Sequence, residues 1–128
     1  MDLSNIIMID NDKLFEQDIQ INELLADADA LISDYSSAAV DYLLLDRPMA
    51  FTLDDVKEYE DSRGFVFDNI REWLPGMEIY SFEDFCAFIT SVVENQDITA
   101  KKRRNLKEKM HKFSDDQSCR RIIEMLNI

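Results

Sequence analysis

Histidine is nearly absent: His111 is the single one in 128 residues. There are two cysteines, Cys86 and Cys119, and no CxxC or Cys/His cluster, so the ligand set of a zinc site is missing. Two glycines and two prolines exclude collagen-like and low-complexity chains. Bases are scarce over residues 1–100, with 5 Lys and Arg against 23 Asp and Glu. A nucleic-acid partner is excluded for this body, because polyphosphate would be repelled. No long hydrophobic run occurs. The longest apolar stretch, Ala38 to Leu45, is broken by Asp41 and is far too short to span a bilayer. Met1-Asp2-Leu3-Ser4 does not open a signal peptide. The expected location is therefore the cytoplasm, with both cysteines as reduced residues of the core.

What is present is enough to fold. Apolar residues make up 46 % of the chain, and its length fits one domain. The formal charge of −13 is unevenly spread, because residues 101–128 carry 9 bases and only 4 acids. The basic block is Lys101, Lys102, Arg103, Arg104, Lys107, Lys109 and Lys112. Two uses are open to it: a solvated helix face beside an acidic body, or a docking face for a partner domain or an anionic membrane surface, the latter giving a peripheral position at the inner face.

Periodicity predicts an α/β fold. Asn5–Asp10, Ala30–Ser33 and Pro48–Thr52 read as buried strands of a parallel sheet. Between them, Ile21–Ala28, with Leu24 and Leu25 turned inward, and Ala38–Asp46 read as helices, which makes a βαβαβ unit within residues 1–80. Residues 12–20 read as irregular, and Leu53–Arg63 as a charged loop or irregular helix. Gly64–Phe67 reads as a short strand or a hydrophobic tuck, and Leu74-Pro75-Gly76 as a turn. Residues 81–128 read as helices packed on that unit, one domain overall. The first opens on a capping box at Ser81 and buries Phe82, Phe85, Cys86, Ile89 and Val93. The second turns Leu106, Met110 and Phe113 inward, and the third buries Cys119, Ile122, Ile123 and Leu126. Three strands are half of a doubly wound nucleotide domain. Either the chain is a piece of a larger enzyme, or it completes its sheet by self-association.

The chemistry concentrates at Asp34-Tyr35-Ser36-Ser37, between a buried strand and a buried helix. Ligands of open α/β sheets bind beyond the carboxyl ends of the strands. A helix N-terminus there offers unpaired amides, and serines add hydroxyl donors, which suits a phosphate or diphosphate without a metal. The same serines can instead simply cap their own helix. Asp41, a carboxylate in an apolar helix, is expected to face a cleft, an Arg or a sugar hydroxyl, or to occupy one exposed position. Arg63 suits a bidentate phosphate contact, or pairs with Glu58, Glu60 or Asp61. Asp10-Asn11-Asp12 lacks the glycine and ligand spacing of a calcium loop. It mimics the acidic pair of a receiver-like signalling module, but no Lys follows a later strand as that class requires.

Taken in order, Leu24-Leu25, Asp29-Ala30-Leu31-Ile32-Ser33-Asp34-Tyr35-Ser36-Ser37, Asp41–Pro48, Glu58-Tyr59, Arg63-Gly64-Phe65 and Leu74-Pro75-Gly76 resemble the C-terminal part of the CDP-glycerol glycerophosphotransferases, the teichoic-acid primases and polymerases. The resemblance is close over about half the chain and loose over the helical tail. It implies a Rossmann-like segment from the C-terminal, nucleotide-donor half of a GT-B enzyme. The implied reaction moves glycerol phosphate from CDP-glycerol to a polyol-phosphate acceptor. By position, Asp34, Tyr35, Ser36 and Ser37 form the donor site. Ser36 and Ser37 would contact phosphate, with Arg63 a candidate for the same charge. Asp41, seven residues before Pro48, would bind ribose, as the acid of that helix does in many GT-B enzymes. No metal or other cofactor is implied. The family's catalytic histidines have no counterpart here, so the chain alone is expected to lack transferase activity. Its partners would be the donor and either an acceptor domain or a second copy; a non-catalytic interaction module of the same fold is the alternative.

Overall fold

In a computed structural model, residues 5–127 are described. Three strands form one parallel sheet in the order β1 (Leu31–Ser33), β2 (Met49–Thr52), β3 (Met77–Ile79). Leu31 pairs with Met49, and Ala50 pairs with Met77. The strand period of two separates the faces of β2. Met49, Phe51 and Leu53 join one core with Ala39, Tyr42, Leu43 and Leu74, whereas Ala50 joins Ile79 and Phe88 in another. Helices on both faces, with parallel strands between them, make this an α/β fold, a partial Rossmann-like sheet followed by a helical tail.

The first core lies under α3 (Ala38–Tyr42), which tightens into a 3₁₀ turn at Leu43–Leu45, and under α7 (Ala100–Met110), which contributes Leu106. The second lies under α6 (Phe82–Val93), which contributes Phe88. The remaining helices are α1 (Asn11–Glu16), α2 (Ile21–Asp27), α4 (Val56–Ser62), α5 (Ile70–Trp73) and α8 (Ser118–Leu126). The carbonyls at the end of α2 are capped from the next crossover. Tyr42 Oη donates to Ala28 O at 2.7 Å, and Arg47 Nη1 donates to Ala26 O and Ala28 O at 2.8 and 2.6 Å.

Several expectations are corrected. Asn5–Asp10 is not a strand, and Ile6, Ile7, Met8 and Ile9 are all exposed, Ile7 by 82 %. A buried parallel strand needs a neighbour and a cover on each face, and this run has neither among the described residues. Asp10 instead caps α1, accepting from Lys13 N–H at 2.9 Å, where an irregular stretch was expected. The third strand is Met77–Ile79, which the sequence did not single out. Leu24 is exposed while Leu25 is half-buried. Residues 56–62 are a regular helix, α4. Gly64–Phe67 is a tuck, with Phe65 and Phe67 half-buried.

The capping box holds, with Ser81 Oγ accepting from Asp84 N–H at 3.2 Å, but α6 turns the other way. Phe88 is buried and Val92 half-buried, whereas Phe82, Phe85, Cys86, Ile89 and Val93 face outward. The apolar stripe of the helix is wide, and a three-stranded sheet covers only one edge of it. Cys119, Ile122, Ile123 and Leu126 of α8 are exposed too, as is Phe113. Neither cysteine is a core residue.

Helix α7 is clasped to the body by ions. Arg103, only 1 % exposed, donates from Nε to Asp46 Oδ1 at 2.9 Å and from Nη2 to Asp97 Oδ2 at 2.7 Å. Arg104 takes the other Asp46 oxygen at 2.8 Å. Asp46 stands in left-handed backbone, φ 53°, where it ends the 3₁₀ turn. Lys107 Nζ donates to Leu44 O at 2.7 Å, and Lys102 Nζ to Arg71 O at 2.8 Å. Much of the basic block is thus committed inside the chain.

Burial pushes the Asp46 carboxyl up, but the bonds from Arg104 and Arg103 outweigh it and hold the group below the ordinary carboxylate range. Asp97 follows the same balance, with burial opposed by Arg103. The stability these two acids add is complete above about pH 4–5, where unfolded carboxylates are already charged. It is lost as pH falls through their lower folded values. Thermal melts by circular dichroism from pH 7 down to pH 2 will show that loss, and Asp46→Asn will flatten it. Asp46→Asn leaves the buried Arg103 with Asp97 as its one carboxylate, so it is expected to cost about 1–3 kcal/mol in urea unfolding at pH 7.

Gly76 is buried against β2, and a Cβ there would drive into the Met49 backbone carbonyl. Gly76→Ala must push β3 off β2. The expected loss in the same urea assay is about 1–3 kcal/mol.

Candidate functional site

At its carboxyl end β1 runs into the Asp34–Ser37 turn, and α3 begins at Ala38. The turn is held by its own side chains. Asp34 Oδ1 accepts from Ser36 N–H at 2.8 Å, and Ser36 Oγ accepts from Ala38 N–H at 3.3 Å. Ser37 precedes α3 in helical backbone and makes no side-chain cap. Ser36 therefore does act as a local cap, and two of the turn's amides are already satisfied. The Ser37 amide and hydroxyl have no partner among the described residues.

Beside this turn opens a cleft of about 290 Å³. Asp34, Tyr35, Ser36 and Ser37 form one rim, and Phe51, Leu43 and Leu74 lie at its base. The walls are aromatic. Tyr35, Tyr59 and Phe65 pack as a trio with ring centroids 4.6 to 5.0 Å apart, and Phe67 stacks on Trp73 at 4.0 Å. Gly64 makes the trio possible. Its φ of +69° ends α4, with the Arg63 and Gly64 amides both donating to Tyr59 O, and turns the chain so that Phe65 comes back onto Tyr59. Tyr35 Oη donates to Asp55 Oδ1 at 3.1 Å. Burial, then this bond and the charge of Asp55, push the Tyr35 hydroxyl far above its ordinary value, so it stays protonated. With Asp34, Asp54 and Asp55 around Tyr35, the rim is acidic.

Of the residues singled out from sequence, the four of the turn come together on the cleft. Arg63 is exposed at the end of α4, next to Gly64 of the cleft wall, and makes no ion pair with Glu58, Glu60 or Asp61. Asp41 is exposed on α3 and lies outside the lining, so the desolvation argument made for it does not apply. The receiver-like reading loses its strand, because Asp10 caps a helix. His111, half-buried at the end of α7, bonds through Nε2 to Val40 O at 2.8 Å. Apart from Tyr35, the aromatic walls (Tyr59, Phe65, Phe67 and Trp73) are not among the site residues the sequence points to, nor is Met110, which enters the cleft from the tail. Tyr59 and Phe65 lay within quoted motifs, but nothing in their spacing tells a cleft wall from core. Among the described residues, no three His, Cys, Asp or Glu side chains gather to hold a metal, and no helix is long and apolar enough to cross a membrane.

A family model for CDP-glycerol:poly(glycerophosphate) glycerophosphotransferase matches residues 4–127. A teichoic acid ribitol-phosphate polymerase of Staphylococcus aureus is 29 % identical over 107 residues, 84 % of this chain and 20 % of that protein. A teichoic acid glycerol-phosphate primase of Bacillus subtilis is 30 % identical over 104 residues, 81 % of this chain and 26 % of its own length. A teichoic acid glycerol-phosphate transferase of Staphylococcus aureus is 29 % identical over 126 residues, 94 % of this chain and 32 % of the relative. The chain thus spans between a fifth and a third of the length of these relatives.

Proposed function

Because the chain belongs to the CDP-glycerol:poly(glycerophosphate) glycerophosphotransferase family, we propose that it is the donor-binding segment of a polyol-phosphate transferase of teichoic-acid-like polymer synthesis. The donor is CDP-glycerol or its ribitol counterpart, and its diphosphate sits at the Asp34–Ser37 turn. The acceptor is a polyol phosphate bound by other parts of a GT-B enzyme. The observation that carries this reading is the cleft beside the turn, at the carboxyl end of a parallel strand, where α/β sheets bind nucleotides. The Ser37 amide and the two serine hydroxyls are the donors on offer, and Arg63 stands at the adjoining wall. The diphosphate needs no metal here, and Asp41 reaches ribose only when the donor extends along α3.

The segment binds and does not catalyse alone. Its one histidine is held to the Val40 carbonyl, so it is not the general base that acceptor attack needs. The rest of the sheet, in a longer polypeptide or a second copy, continues from the free edge of β1 and covers the exposed Ile6–Ile9 run and the outer stripe of α6. Residues 1–80 and the helices from 81 onward act as one unit, joined by the Arg103 clasp. Lys101 and Lys112 are the bases of the block left for an anionic membrane surface at a cytoplasmic location. The second reading, an interaction module without ligand, draws on the turn satisfying its own amides through Asp34 and Ser36.

Calorimetric titration with CDP-glycerol, CDP and CMP separates the two. Binding of CDP, lost by at least tenfold in Ser36→Ala/Ser37→Ala with only the small fall in melting temperature that loss of the Ser36 cap brings, is the expected result. A double variant that binds as the parent does removes the phosphate role, and heatless titrations with every nucleotide leave the interaction module.

A further inference from the structure

Lys102, Arg103, Arg104 and Lys107 of α7 each hold a carboxylate or carbonyl of the body. Lys109 does not. Its ammonium has no carboxylate partner among the described residues and lies over the Trp73 ring, 5.8 Å from the centroid. Trp73 is a wall of the cleft, and so is Met110, the next residue of the helix. One further on, His111 grips the carbonyl of Val40, another lining residue. The end of α7 is therefore a fixed side of the cleft rather than a tail passing near it. Its anchor is the clasp at Arg103, two turns back along the same helix.

The cleft has a charge problem that this placement answers. Asp34 lines the Tyr35 rim and Asp55 holds the Tyr35 hydroxyl from behind it, so an anionic ligand entering there meets like charge. Arg63 borders the α4 side. A second cation would balance that charge, and Lys109, exposed and just outside the lining residues, lies over the Trp73 wall.

We propose that Lys109 is a phosphate-binding residue of the cleft, held above Trp73 so that its ammonium meets the charged part of a nucleoside diphosphate. This rests on the donor reading above and adds to it a contact from the C-terminal helix. Removing the charge weakens phosphate binding and leaves any contact with the nucleoside intact.

The test is titration of the full chain with CDP and with cytidine. Lys109→Met keeps the apolar stem over Trp73 and loses only the ammonium. It is expected to weaken CDP about tenfold and to leave cytidine and the melting temperature unchanged. Lys109→Arg is expected to restore CDP binding. Lys101→Met, a base of the same helix away from the cleft, serves as the control and is expected to bind as the parent. If Lys109→Met binds CDP as tightly as the parent, or if Lys101→Met weakens it equally, Lys109 has no special place. If the parent binds neither CDP nor cytidine, the donor reading fails, and this inference fails with it.

Discussion

Arg103 is the residue on which the arrangement hangs. A guanidinium almost wholly removed from water requires partners in the plane of its fork, and Asp46 and Asp97 supply them from two different connections. Nη1 is the one buried side-chain nitrogen left without a protein partner among the described residues. The clasp orders three things at once. It draws α7 across the 3₁₀ turn, it stabilises Asp46 in backbone that non-glycine residues seldom adopt, and it sets the end of α7 against the cleft. A net charge of −13 on the whole chain conceals this local pairing, because the basic helix finds its counter-ions a few ångströms away.

The cleft and the core are built from the same motifs, which is why their residues recur together. Gly76 lets β3 approach β2, and Gly64 returns the chain to stack Phe65 on Tyr59. The two glycines of the chain thus stand where the backbone makes its tightest demand, one of space and one of handedness. Aromatic rings then surround a small volume whose polar groups are confined to one rim, the usual make-up of a site that holds a ring and a charge together.

The sheet's first two strands were legible because apolar runs between turn formers leave few alternatives, as Ala30–Ser33 and Pro48–Thr52 illustrate. The turn at Asp34–Ser37 was legible for the same reason. Met77–Ile79 was not, because three residues with a glutamate at the centre give no periodicity. Asn5–Asp10 misled because its hydrophobicity states that it wants cover, not that cover exists. The stripe on α6 failed similarly. A wide apolar stripe does not say which of its edges meets the sheet, and Phe88 was outranked by its neighbours. The role of Asp46 lay beyond sequence reading altogether, since its partners sit more than fifty residues away.

That separation bears on how the molecule assembles. Neighbouring strands of the sheet are also successive along the chain, so each pairing closes only a short loop and can form early. The bonds from Arg103 and Arg104 to Asp46 span 57 and 58 residues and carry the largest closure entropy of the ionic contacts described. During synthesis the left-handed corner at Asp46 emerges long before the guanidinium that holds it. Until α7 has emerged, that corner lacks its ionic partners and the first core lacks the cover of Leu106.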